Sequence, residues 1–234
     1  LGGARPKASI VDEHGHLWIA KFPSGNDQFN VGAWEMVTHE LARAAGINMA
    51  GCKAQQFSSK HHTFLTKRFD RTTDGERIHF ASAMTMLGFV DGQEGASYLD
   101  IVDFLTTHGG NVEADLEELW RRIVFCISVS NTDDHLRNHG FILKPEGWVL
   151  SPAYDINPIE TGTGLSLNIS ASDNALDLDL ALDVAKYFRL DTGRTRQIMG
   201  EVRGVVKNWR VVAKKYGISN AECELKSRAF RFAE

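Results

Sequence analysis

Nine consecutive residues, Asn131-Thr132-Asp133-Asp134-His135-Leu136-Arg137-Asn138-His139, bring two carboxylates, two histidines, two asparagines and an arginine together directly behind an apolar stripe. The stripe, Leu116, Leu119, Trp120, Ile123, Val124 and Ile127, has helical spacing and predicts a buried helix opened by Asn111 as N-cap. Burying so many polar groups without partners costs several kcal/mol. The fold must therefore deliver this segment to a cleft or to the surface. An ordinary loop has no use for such a density of potential ligands, so the segment is read as a site.

The remaining pattern says what surrounds it. Ser9 to Val11, a turn at Asp12 to His16, and Leu17 to Phe22 spell a hairpin, with Leu17, Ile19 and Lys21 on one face of its second strand. Trp34, Val37, Leu41 and Ala44 then recur with helical spacing before Gly46. Strands are expected at Ala54–Phe57, Thr63–Phe69 and Ile78–Phe80, the last as part of the same N-terminal sheet. Gly140 to Leu143 and Trp148 to Leu150 form a second hairpin. Ile198, Val202, Val205, Val206, Trp209 and Val212 are in phase along one long helix, and Ser219 with Glu222 spells a capping box for a last one. Leu176 to Leu182 fits strand and helix equally. The expected architecture is α+β and two-lobed, with a sheet-rich lobe over residues 1–95 and a helical lobe over 96–234.

Charge and cysteine content narrow the function class. Twenty-six Lys and Arg against 30 Asp and Glu give a net charge of −4, which offers no basic coat for nucleic acid. Cys52, Cys126 and Cys223 are few and unevenly spaced, as in a reduced, cytoplasmic protein. No run approaches the roughly 20 apolar residues of a membrane span. The sequence opens at Leu1 without methionine, so a longer natural protein is expected.

Two chemistries compete for the 131–139 segment. His135 and His139, four apart, could join Asp133 or Asp134 on a metal as in a hydrolase, but Leu136 stands where that pattern places glutamate. Alternatively, Asp133 and Asn138 match the D-x-x-x-x-N spacing of a kinase catalytic loop, where the acid takes the proton of the attacking hydroxyl and the asparagine helps hold magnesium. Asp155, in Pro152-Ala153-Tyr154-Asp155, returns a second carboxylate for that metal. Lys21, ending a strand, offers a point charge for phosphate, and Glu35 on the next helix can hold it. The bland readings are a solvated Lys21, a Glu35 exposed in a first helical turn, and an Asp155 that begins a turn.

Gly2-Gly3-Ala4-Arg5-Pro6-Lys7, the Lys21 strand, Lys67-Arg68-Phe69-Asp70-Arg71, Asn131 to Phe141 and Ser151 to Pro158 together resemble the HipA family from residue 1 to about 215. The resemblance implies a two-lobed protein-kinase-like fold that binds ATP and Mg2+ and phosphorylates serine or threonine of a protein. It makes Asp133 the catalytic carboxylate, Asn138 and Asp155 the metal ligands, and Lys21, held by Glu35, the phosphate-binding lysine. Gly2, Gly3 and Ala4 would face the phosphates, the backbone of Lys67, Arg68 and Phe69 the adenine, and His135 and Tyr154 would lie near the nucleotide. Family members are usually toxins paired with a DNA-binding antitoxin, with aminoacyl-tRNA synthetases among their targets, and they carry a further N-terminal subdomain and a regulatory serine upstream. The alternatives are an ATP-binding module without catalysis, a small-molecule kinase, or the histidine-dependent hydrolase. Thr161, Thr163 and Ser166 occupy the place of an activation segment and are expected phosphorylation sites.

Overall fold

The computed structural model of the chain describes residues 5–232. β1 (Lys7–Val11) and β2 (Leu17–Lys21) form the expected hairpin, with Gly15 at φ +81° in its turn. After α1 (Val31–Ala44) come β3 (Cys52–Gln56) and β4 (His62–Lys67), completing an antiparallel sheet of order β1-β2-β4-β3. Its register sets Lys21 opposite Phe64. Asn30 caps α1 by accepting the Ala33 N–H, and the helix packs on β3 and β4. The approach is close enough that a Cβ on Gly32 would stand 2.2 Å from the His62 carbonyl oxygen.

The strand expected at Ile78–Phe80 belongs elsewhere. β5 (Phe80–Ser82) leaves the N-terminal sheet and pairs with β6 (Gly140–Lys144), which pairs in turn with β7 (Gly147–Leu150). Glycine at 140 permits this, because a Cβ there would meet the Phe80 ring at 2.3 Å. Between β5 and β6 run α2 (Ala83–Met86), α3 (Tyr98–His108) and α4 (Val112–Ser128). The sequence reading missed α3, although Ser97 and Asp100 form a complete capping box. The stripe of α4 is fully buried as expected, but Asn111 makes no side-chain cap, and Glu113 and Asp115 favour the first turn instead.

Leu176–Leu182 resolves into α5 (Leu178–Val184), capped by Asp177. The single long helix expected near the C-terminus is two: α6 (Thr192–Val206) and α7 (Trp209–Lys215). Asn208 makes the break, its amide Nδ2 donating to the Gly204 carbonyl and its N–H to Val205. The bend turns Trp209 into the core, where it stacks on Phe230 with 4.3 Å between ring centroids and lies 5.9 Å from Trp34. α8 (Asn220–Lys226) starts at Ser219 as expected, yet Glu222 does not complete the capping box. Its carboxylate reaches α1 instead. One buried core runs through α1, α3, α4 and α6. Among the described residues no helix is long and apolar enough to cross a membrane.

Candidate active site

Lys21 ends β2 beside α1, and its ammonium donates at 2.6 Å both to Glu35 Oε1 and to Asp155 Oδ1. Three of the expected site residues therefore meet in one ion cluster. Glu35 is not the exposed first-turn acid of the bland reading, being only 4% exposed. Burial lifts its carboxyl to about 7, against the pull of Lys21. Burial also opposes the charge on Lys21, but Glu35 and then Asp155 outweigh it and raise the lysine above its ordinary value. Asp155 stays below the usual carboxylate range despite burial, because Lys21 faces it. Its backbone sits at φ +59°, a left-handed conformation that aspartate tolerates better than most residues. One turn beyond Glu35, Thr38 Oγ1 donates to the Ile156 carbonyl at 2.6 Å, so α1 grips the chain directly after Asp155.

The 131–139 segment leaves α4 through Ser130, also left-handed at φ +50°. Asp133 points outward and is exposed. Asn138, in the 3-10 turn Leu136–Asn138, is buried and donates from Nδ2 to the Asp133 carbonyl at 3.1 Å. That bond fixes the amide and leaves Oδ1 without a hydrogen-bond partner among the described residues. Asn131 Oδ1 accepts the Asn157 N–H, and Asn157 Nδ2 donates to Asp155 Oδ1. Tyr154 donates its hydroxyl to the Arg137 carbonyl at 2.8 Å. The loop and the Asp155 turn are thus stitched together at two points.

Behind the loop lies a network that the sequence reading did not single out. Asp134 Oδ2 accepts from the Tyr98 hydroxyl at 2.5 Å and meets His139 Nε2 at 3.0 Å. Burial works against the Asp134 charge, but His139 and then Tyr98 hold its carboxyl below the ordinary value. With its ring buried on Asp134, His139 serves the fold, and among the described residues no three His, Cys, Asp or Glu side chains converge to hold a metal ion. The histidine-dependent hydrolase is set aside on this geometry.

The Lys67, Arg68 and Phe69 strand end differs residue by residue. The Lys67 and Arg68 N–H groups are taken by the carbonyls of Gly51 and Leu17, and the Arg68 guanidinium is paired with Asp70. Phe69 has no backbone hydrogen bond among the described residues. Its ring lies 5.8 Å from that of Tyr154 and 5.4 Å from that of Phe80. His135 is half-buried, with Nδ1 unpartnered. Ser166 donates its hydroxyl to the Thr132 carbonyl. Gly2, Gly3 and Ala4 lie outside the described residues.

A strand-rich lobe carrying a lysine–glutamate pair, joined to a helical lobe carrying a D-x-x-x-x-N loop and a returning aspartate, defines a protein-kinase-like fold. The sequence matches the HipA-like C-terminal domain over residues 1–209, and the chain belongs to that family. It is 32% identical over 177 residues to a Haemophilus influenzae protein named a candidate kinase, spanning 66% of this chain and 51% of the relative. The chain thus spans about half the length of that relative. Among solved structures, the whole chain superposes on 63% of Shewanella oneidensis HipA, in its complex with HipB and operator DNA, with a TM-score of 0.76 at 17% identity. It also superposes on 91% of the Helicobacter pylori proinflammatory kinase CtkA with a TM-score of 0.63 at 14% identity.

Proposed function

We propose that this chain is the catalytic region of a HipA-like serine/threonine protein kinase using magnesium and ATP. The observation that carries the reading is the Lys21 ammonium held at 2.6 Å by both Glu35 and Asp155, two carboxylates 120 positions apart in sequence that serve no evident packing purpose. In this reading Lys21 holds nucleotide phosphates and Glu35 fixes the lysine. The site's fit to a hard cation rests on oxygen donors: Asn138 Oδ1 and Asp155 Oδ2 accept no hydrogen bond among the described residues, and magnesium needs only one or two such ligands beside phosphates. Bound there, magnesium supplies charge neutralisation along the phosphate chain.

Asp133, exposed next to that site, takes the proton of the incoming serine or threonine hydroxyl as its oxygen bonds to the terminal phosphorus and the bond to the ADP oxygen breaks. Adenine is recognised by the Phe69 N–H and carbonyl, which have no hydrogen bond among the described residues, beside Tyr154. His135 completes the nucleotide surface. In this reading the lobe boundary expected near residue 95 falls earlier, before β5, which already pairs with β6. The family and the HipA–HipB complex support a toxin restrained by a DNA-binding antitoxin; in this reading it acts in the cytoplasm, with a protein such as an aminoacyl-tRNA synthetase as target.

Calorimetric titration of ATP with and without magnesium, followed by a labelled-phosphate transfer assay, tests the proposal. Magnesium-dependent one-to-one binding and transfer to serine or threonine are expected. Binding indifferent to magnesium, or transfer unaffected by Asp133→Ala, refutes it.

A further inference from the structure

The last helix touches both walls of the ion cluster. On α8, Glu222 and Lys226 are four residues apart and so share one face. Glu222 Oε1 accepts the Asn30 N–H at 2.9 Å and the Trp34 indole N–H at 2.8 Å, gripping the first turn of α1 immediately before Glu35. Lys226 donates to the Pro158 carbonyl at 3.3 Å and to Glu160 Oε2 at 2.5 Å, gripping the chain just after Asp155. Its ammonium also lies 4.7 Å from the centre of the Phe29 ring, at the entrance to α1. Lys226 is 12% exposed and Glu160 23%, so this is a sheltered pair rather than a surface one.

We infer that α8 is a clamp on the candidate active site, with Glu222 and Lys226 as positioning residues that align Glu35 and Asp155 about Lys21; the inference rests on the kinase reading above. The two arms act on different carboxylates. Glu222 sets the height of α1, and through it the Glu35–Lys21 pair that would hold nucleotide. Lys226 sets the turn carrying Asp155, which would hold magnesium. The N-terminus of α1 is pinned by an element 188–192 positions further along the chain.

The test is a pair of titrations on the whole chain: ATP at saturating magnesium, and magnesium at fixed ATP. Glu222→Ala is expected to weaken ATP binding about tenfold, the loss of two partly buried hydrogen bonds to a charged acceptor, while the magnesium midpoint moves little. Lys226→Met is expected to raise the magnesium midpoint by a similar factor with a smaller effect on ATP at saturation. Glu222→Gln and Lys226→Arg, which keep the acceptor and the cation, should restore parental values. Equal losses in both titrations for both variants, or no rescue, would reduce α8 to a general stabilising element and overturn the clamp. Variants that match a magnesium-responsive parent overturn the clamp alone, whereas a parent indifferent to magnesium overturns the kinase reading and the clamp with it.

Discussion

Asn131 Oδ1 accepts the backbone N–H of Asn157 at 3.1 Å, joining the loop that presents Asp133 to the turn that presents Asp155. Neither asparagine needs to touch a substrate for this bond to matter. It fixes the spacing between a proton acceptor and a cation ligand that approach from opposite sides of β6 and β7 in sequence.

Asp133 is exposed and its side chain makes no hydrogen bond or ion pair among the described residues, so Asp133→Ala should leave the melting temperature and ATP affinity unchanged. Phosphate transfer should fall about a thousandfold, the typical contribution of a positioned general base. A transfer assay beside a thermal melt checks both halves.

Lys21 is the only cation within bonding distance of Glu35 and Asp155 among the described residues. Lys21→Met leaves two carboxylates facing each other without it, one of them buried, and should cost about 3 kcal/mol in urea unfolding. The double change with Glu35→Gln should recover part of that loss, since it removes the charge left stranded.

Asp134 contributes to the loss of stability in acid. Its folded carboxyl lies below the ordinary value of 3.8, so its stabilising contribution is complete above that value and disappears as pH falls through the lowered one. Asp134→Asn should lose about 3 kcal/mol at neutral pH. It should also show a flatter loss of stability on acidification than the parent, measured by urea midpoints from pH 6 downward.

Two glycines should respond in opposite directions. Gly32→Ala drives a methyl into the His62 carbonyl, a backbone atom 2.2 Å away that cannot yield, and should destabilise by about 2 kcal/mol. Gly200, in the middle of α6, has open space where a Cβ would stand, and Gly200→Ala should stabilise by about 1 kcal/mol. Paired denaturation curves decide each.

The candidate site was legible where its residues stand in short local patterns. The Asp133–Asn138 spacing, the returning Asp155 and the strand-end Lys21 all stand in short segments whose residue types are their own signal. Glu222 was hidden by a local pattern: Ser219 three residues earlier spells a capping box, but the indole of Trp34, 188 positions away, offers a buried donor that a solvent-facing box cannot match. The α6–α7 break was hidden in the same way, because the apolar phase runs straight through Asn208, whose bond to the Gly204 carbonyl and the Trp209–Phe230 stack together set the bend. β5 has three residues, too few for any periodicity to register.

Ser130 and Asp155 both hold left-handed backbone, one on each side of the Asn131–Asn157 bond. Each such residue costs about 1 kcal/mol or more, and the cost falls beside the Asn131–Asn157 bond while the apolar stripe of α4 beneath is buried. The strain of the Asp155 turn is therefore held in place by its ties to Lys21, Thr38 and Asn131, and the turn is expected to open before the buried stripe of α4. In hydrogen exchange the Asn157 amide should trade its proton well before those of Ile123 and Val124, marking the place where this chain keeps its mobility in reserve.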